Sequence, residues 1–225
     1  MELEACFKKE YYLDGKLKSE VFINDRVMEG IYKEYHEGGD LFKECSYING
    51  QINGKHKHYY PNGWHDEFHY IDGKREGAHK SYYSDKIWSE CNYVNDLMEG
   101  VYKKYHPNGN LWEICNYVNG KINGEYKSYH DNGKIREECN YVDDKINGEW
   151  KTYYFDGQLM EICNFIDHKI DGNYKTYYKN GQLEHISNFV NGTLCHKNGK
   201  PGFICGFIRS SRTHGIGPFK DLFEQ

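Results

Sequence analysis

Alanine is almost absent: Ala5 and Ala78 are the only two in the chain. Alanine leads the helix-propensity scale, so its scarcity argues against a helical bundle. Proline, at 4, and arginine, at 5, are also scarce. No apolar run approaches the length of a membrane span and the mean hydropathy is −0.93, which excludes a transmembrane helix. The start, Met1-Glu2-Leu3-Glu4-Ala5-Cys6, lacks a basic stretch followed by an apolar one, so no secretory signal is expected. Positive charge is not in excess: 29 Lys and Arg stand against 34 Asp and Glu, net −5. That balance gives no bulk support for binding nucleic acid or an anionic membrane. Leu, Ile, Val and Phe make only about a fifth of the chain, near the limit for disorder.

What is present changes that picture. Aromatic residues reach 16%, with 22 Tyr, and each buries a large area. Tyr, Ile, Phe and Val favour half-buried strands. Lys and Gly each number 24 and Asn 20. Phe, Tyr, Met, Ile, Asn and Lys outnumber Gly, Ala, Arg and Pro by 98 to 35. The first set has AT-rich codons and the second GC-rich ones, so part of the skew reflects an AT-rich genome.

An internal repeat dominates the chain. A strand-like run opens at each of Gly30, Gly54, Gly77, Gly100, Gly124, Gly148 and Gly172, a period of 24 that shortens to 23 at two steps. Each unit holds two strand-like runs, each followed by a turn signal such as Asp131-Asn132-Gly133 or Val118-Asn119-Gly120. Asn-Gly and Asp-Gly are strong hairpin signals because a type I′ turn needs positive φ at both central positions. Three places after the unit glycine stands Lys33, Lys57, Lys80, Lys103, Lys127, Lys151 or Lys175. Five after it stands Tyr35, Tyr59, Tyr82, Tyr105, Tyr129, Tyr153 or Tyr177. Strand alternation puts these Lys and Tyr rows on one face, and the aromatic second and sixth positions on the other. In the second run an aromatic residue, Tyr47 through Phe189, follows two places after Cys45, Cys91, Cys115, Cys139 or Cys163; Phe68 and Ser187 replace the cysteine in two units. The two shorter steps trace to Ser84-Asp85-Lys86, where a turn glycine is missing, and to Trp64–Phe68, where the second run is one place short. A turn or a bulge is expected to absorb each, since a single-place slip would turn the side chains over.

Residues 1–29 read as a degenerate first unit, 30–192 as seven full units, and 193–225 as an unrepeated cap or tail. Pro218–Glu224 has the pattern of a short helix, and repeat arrays need atypical ends to cover their edges.

These units resemble the MORN-repeat family, in the variant form found in bacterial YwqK-type proteins and in giant DNA viruses. Tyr117-Val-Asn-Gly-Lys-Ile-Asn-Gly-Glu-Tyr-Lys-Ser-Tyr-His-Asp-Asn-Gly133 matches the family pattern almost throughout. Asp96, Asp144 and His168 depart from it at the first glycine of the inter-unit turn. The resemblance implies an all-β fold: an elongated, single-layer antiparallel sheet of tandem 23–24-residue hairpins with a short C-terminal cap. Strands about 4.8 Å apart would let eight hairpins span roughly 80 Å. Such a ribbon has no second layer, so ladders of aromatic residues on both faces are expected to supply its packing.

Candidate chemistry is sparse. Equivalent cysteines in neighbouring units should lie about 10 Å apart, beyond the roughly 7 Å limit for a disulfide, so they read as free, mostly buried thiols. Cys195, His196, Cys205 and His214 fit no tight zinc spacing, and no metal or cofactor is expected. His36, His106 and His130 replace Tyr at one aromatic position and read as planar packing groups. The seven Lys suit an anionic partner, but Glu44, Glu67, Glu90, Glu113, Glu137 and Glu161 recur in the second runs. Facing strands would pair the two and neutralise the face. No phosphate loop, Ser-His-Asp order or metalloprotease motif is present, so the chain reads as a non-enzyme.

The resulting expectation is a non-catalytic protein-binding or scaffolding module. Its candidate surface is the Tyr and Lys rows, its partner a protein. Self-association through free strand edges is compatible with it, and nucleic acid is not expected. A membrane-associated module, a YwqK-like antitoxin and a virion component are the alternatives. Codon skew and subtype point to a giant amoeba-infecting virus or, second, an AT-rich bacterium, and the expected location is the cytoplasm.

Overall fold

In the computed structural model, residues 5–195 are described. They form one antiparallel sheet of 22 strands, with no helix among the described residues. The expected helix at 218–224 and the candidate ligands His196, Cys205 and His214 lie outside the described residues.

Eight hairpins follow one another, each strand paired with its sequence neighbour. The unit from Gly124 is representative. Gly124–Tyr129 pairs with Ile135–Val142, setting Tyr126 opposite Cys139. A turn leads to the short strand Lys145–Ile146, which folds back on Tyr141 and Val142. The next unit begins at Gly148, with Lys151 opposite Glu138. The first hairpin, Cys6–Tyr11 with Leu17–Asn24, shows that the N-terminal segment is a true unit. Thr193–Cys195 adds a last short strand against Asn188–Val190.

The turns follow the sequence signals. At every inter-unit turn both central residues have positive φ, for example Asn119 at 51° and Gly120 at 76°. Asp96, Asp144 and His168 hold the same geometry without glycine, at 68°, 65° and 66°. Their side chains explain how this strained backbone is tolerated. Asp96 Oδ1 accepts from the Arg75 amide at 2.9 Å, and Asp144 Oδ1 from the Ile122 amide at 2.7 Å. His168 Nδ1 accepts from the Ile146 amide at 3.4 Å. The turns also stack through their backbones: Gly120 N donates to Met98 O, Asp144 N to Ile122 O and His168 N to Ile146 O. At the opposite margin a type I turn closes on a left-handed glycine, as where Gly109 N donates to His106 O and His106 N to Asn110 O.

The two short units resolve as expected. At Ser84-Asp85 both residues have positive φ and Tyr83 pairs directly with Lys86, a two-residue turn that needs no glycine. At Trp64–Phe68 the hairpin runs without the bulge that other units carry before their tyrosine; the missing residue is the bulge.

The two faces are unequal, which corrects the expectation of packing on both. Every buried residue among those described lies on the face that carries the cysteines. The small cysteine sits opposite a large ring in the same hairpin, and that ring meets the next aromatic edge to face. Tyr102–Tyr117, Tyr126–Tyr141 and Trp150–Phe165 centroids are 6.0, 5.5 and 6.3 Å apart. Ile122, 1% exposed, fills the space beside Tyr117. Large rings thus roof over small residues on this closed face. A bulge before the ladder tyrosine of most hairpins, joined at the first two junctions by a second between units, bends the strands and adds twist. The other face stays open. Its terminal row, Ile48, Ile71, Val94, Val118, Val142, Ile166 and Val190, is exposed throughout.

Candidate functional site

The repeated residues are first of all structural. On the open face, Tyr105 donates its hydroxyl to Glu90 at 2.7 Å and Tyr153 to Glu138 at 2.6 Å. Burial, then the Glu90 carboxylate, pushes the Tyr105 hydroxyl up to about 12. Five of the seven ladder lysines meet carboxylates: Lys33 with Glu44, Lys57 with Glu67, Lys103 with Glu90, Lys127 with Glu125 and Lys151 with Glu149. Lys80 and Lys175 make no ion pair with the described residues. This face is therefore largely neutralised.

The partners are not all the expected ones. Glu113, Glu137 and Glu161 stand two places before a cysteine, whereas Glu44, Glu67 and Glu90 stand one before the cysteine or Phe68. Alternation therefore puts the first three on the closed face, where they accept from the aromatic ring of the next unit. Trp150 Nε1 donates to Glu137 at 2.7 Å. The Tyr126 hydroxyl bonds to Glu113, and Tyr174 to Glu161. Burial raises the Glu113 carboxyl above its ordinary range, with Lys104, Tyr126 and Arg136 opposing.

At the second junction this donor–acceptor rule fails. Lys43 occupies the acceptor place, so the buried His56 has no carboxylate to receive it, and its Nδ1 has no hydrogen-bond partner among the described residues. Burial lowers the His56 pKa to about 4, assisted by Lys43 and His58.

At the third junction the place is filled by His79 and Asp66. Asp66 accepts from Ser81 at 2.5 Å and from Tyr60 at 3.1 Å, and lies 3.6 Å from His79 Nε2. His79 Nδ1 is 3.5 Å from Cys91 Sγ. Burial opposes the Asp66 carboxylate, but the neighbouring His79 ring and the hydrogen bonds from Ser81 and Tyr60 still hold it below its usual range. The Cys-His-Asp order has the outline of a nucleophilic relay, yet His79 is 2% exposed and burial pushes the Cys91 thiol up to about 12. A reactive cysteine needs access and a lowered pKa; this one has neither. The cluster is a hydrogen-bonded core element.

The cysteines among the described residues are free, as expected, with Cys45, Cys91, Cys115, Cys139 and Cys163 buried and Cys6 exposed. Among the described residues no group of His, Cys, Asp and Glu is arranged to hold a metal ion. The open face has a shallow polar depression lined by Glu125, Glu138, Glu149 and Lys151. Among the described residues no helix is long and apolar enough to cross a membrane.

One feature does not repeat along the whole array. Trp64, Trp88 and Trp112 lie side by side at the hairpin-turn margin of the closed face, with centroids 5.2 and 5.7 Å apart, edge to face. Lys104 Nζ sits 5.4 Å from the Trp88 ring and 4.4 Å from Trp112, and His106 stacks on Trp112 at 5.3 Å. Toward the N-terminus, His36, Phe42, His58 and Tyr60 continue the margin with contacts of 4.7, 4.4 and 4.5 Å. Beyond Trp112 the same register holds Arg136, Met160 and Glu184. All three tryptophans are half-buried. Sequence reasoning missed this band because counting alternation back from Cys115 assigns Trp112 to the open face. The bulge, where Lys104 opposes Glu113 but Tyr105 opposes Leu111, restores it to the closed one. The signal available was the tryptophan itself, 4 in the chain, three of them recurring at the repeat spacing.

Regular hairpins, stacked turns and a ladder of like residues define a tandem β-hairpin repeat protein. Units of the MORN repeat variant match at residues 8–25, 28–49, 52–72, 75–95, 98–119, 122–143, 146–167 and 170–191. The chain belongs to that family, with eight repeats. No curated protein matches it.

Proposed function

We propose that the protein is a non-catalytic binding or scaffolding module whose partner, another protein, docks on the Trp64–Trp88–Trp112 band. The observation that carries this reading is the band's confinement to one part of the array. A tyrosine in every unit is accounted for by its ladder, whereas three adjacent tryptophans beside Lys104, in units three to five only, exceed what the scaffold needs. Trp and Tyr dominate binding hot spots because they bury large area at low rotamer cost. The Tyr and Lys rows of the open face are the weaker candidate, since five of the seven lysines and the hydroxyls of Tyr35, Tyr105 and Tyr153 are already engaged within the sheet. A row of unbridged thiols suits a reducing compartment such as the cytoplasm.

The test is cross-linking capture from native cells with the full chain, compared with Trp88→Ala and with Lys127→Ala on the open face. Loss of the captured protein with Trp88→Ala alone supports the reading. Loss with Lys127→Ala alone would move the site to the open face. A membrane role is the second reading, favoured by the exposed Ile and Val row beside Lys74, Lys121, Lys145 and Lys169. It predicts flotation with anionic vesicles that salt abolishes.

A further inference from the structure

The two ends of the sheet are complementary halves of a junction that occurs seven times inside it. At the N-terminal end, every residue of the first-type strand Cys6–Tyr11 is exposed. At the C-terminal end, Thr193–Cys195 covers Asn188–Val190, but Leu183–Ser187 has no partner on its outer side among the described residues. Inside the array that slot receives the next first-type strand: Lys175 opposes Ile162 and Thr176 opposes Glu161. We infer that a second copy of this chain fills it. Its Lys9 would stand opposite Ile186 and its Glu10 opposite His185, joining copies head to tail into one continuous sheet.

Three ladders support the join, because each breaks off at one end with a donor and at the other with an acceptor. In the first, the residue after the ladder tyrosine bonds to the tyrosine carbonyl of the next unit: Tyr12 to Tyr35 O, His106 to Tyr129 O, His130 to Tyr153 O and Tyr154 to Tyr177 O, at 2.6, 2.9, 3.1 and 2.8 Å. Tyr178, exposed, is the last of this series, and Tyr11 O of the next copy is its missing acceptor. In the second, Asn108 and Asn132 donate to Asp131 O and Phe155 O, both at 2.8 Å. Asn180 is the next such residue and Leu13 O of the next copy the next such carbonyl. In the third, each inter-unit turn donates to the turn before it, ending with Gly192 N to Ile170 O. The first turn, Asp25-Arg26, has no turn before it among the described residues; the Arg26 amide would meet Leu194 O of the preceding copy.

Charged edge strands usually resist pairing, and Lys8, Lys9 and Glu10 line this one. Yet Lys occupies the Lys9 position at every junction inside the chain, from Lys33 to Lys175, so it is no barrier to this register. The exposed Tyr11, Leu183 and Ile186 would be covered. A heterologous contact of this kind does not close on itself and yields open strings of molecules.

Sedimentation velocity of the full chain across a concentration series tests the inference, with electron microscopy of the products. The expected result is a ladder of species that lengthens with concentration. His185→Glu, which sets two carboxylates face to face, should weaken association roughly tenfold or more, and Tyr178→Phe less. Adding Glu10→Lys to His185→Glu should restore it by placing Lys opposite Glu. Both changed residues are exposed, so the variants retain their fold. A full chain that stays monomeric at every concentration, because residues 196–225 or solvent occupy the edge, overturns the inference. So does a closed dimer indifferent to His185→Glu, or a double variant that fails to recover.

Discussion

Replacing His56 by Phe should remove about 2 kcal/mol of acid sensitivity from the N-terminal half of the sheet, the linkage value of a histidine that stays neutral on folding. His56 faces Cys45 and Phe68 across its two strand partners. Lys43 and His58 add positive charge nearby, and Asp66 opposes them. Its pKa falls from 6.5 to about 4 on folding. Between those values the unfolded chain binds a proton that the folded chain refuses. Stability therefore rises with pH through that window and is lost as pH falls from the unfolded value toward the folded one. Linkage gives a loss of about 2 kcal/mol at about pH 5 relative to about pH 7.5. Other groups titrate in the same range, so the informative quantity is the difference between wild type and His56→Phe. Phenylalanine suits a position that holds Tyr or Trp in five other units. Urea unfolding followed by the fluorescence of Trp64 in the same hairpin and Trp88 in the next measures it at both pH values. Equal acid losses in the two proteins would refute the reasoning, because His56 would then take up its proton in the folded sheet at no cost.

Ile122→Ala should cost about 2–5 kcal/mol, the range for truncating a fully buried aliphatic residue, in the same urea titration. Asp144→Ala should cost about 1–2 kcal/mol, since it strips the acceptor from the Ile122 amide and keeps a side chain at φ 65°. Asp144→Gly should cost less, because relief of that backbone offsets the lost bond. Trp150→Phe should destabilise by about 1–3 kcal/mol by leaving the Glu137 carboxylate without its indole donor. Lys127→Ala, which breaks an ion pair at the surface, should change stability by less than about 1 kcal/mol.

The architecture was legible because the physics that sets it is local. Positive φ at both centres of a turn favours Asn, Asp or Gly, and a fixed period forces equivalent residues onto equivalent places. Even the irregular steps at Ser84 and at Trp64 could be traced to a turn or a bulge, and the backbone register decides which. The inequality of the faces was not legible, because Tyr is abundant on both. Only the cysteines, small enough to be roofed over by Tyr126 or Trp150, mark the closed side. The destination of Glu113, Glu137 and Glu161 was readable in principle, by counting two places back from each cysteine rather than grouping all glutamates of the second strand. Trp112 was not readable by counting, because its facing depends on a bulge whose position the backbone register decides.

The division into a closed and an open face is the central claim, and site-resolved thiol labelling of the native protein tests it most directly. Cys115, Cys139 and Cys163 should resist alkylation under conditions that label Cys6 fully. A cysteine introduced one place further on by Asn140→Cys, at an exposed position of the open face, should label as readily as Cys6. Labelling of Cys139 at the same rate as the cysteine of Asn140→Cys, without unfolding, would contradict a sheet that is closed on one side only.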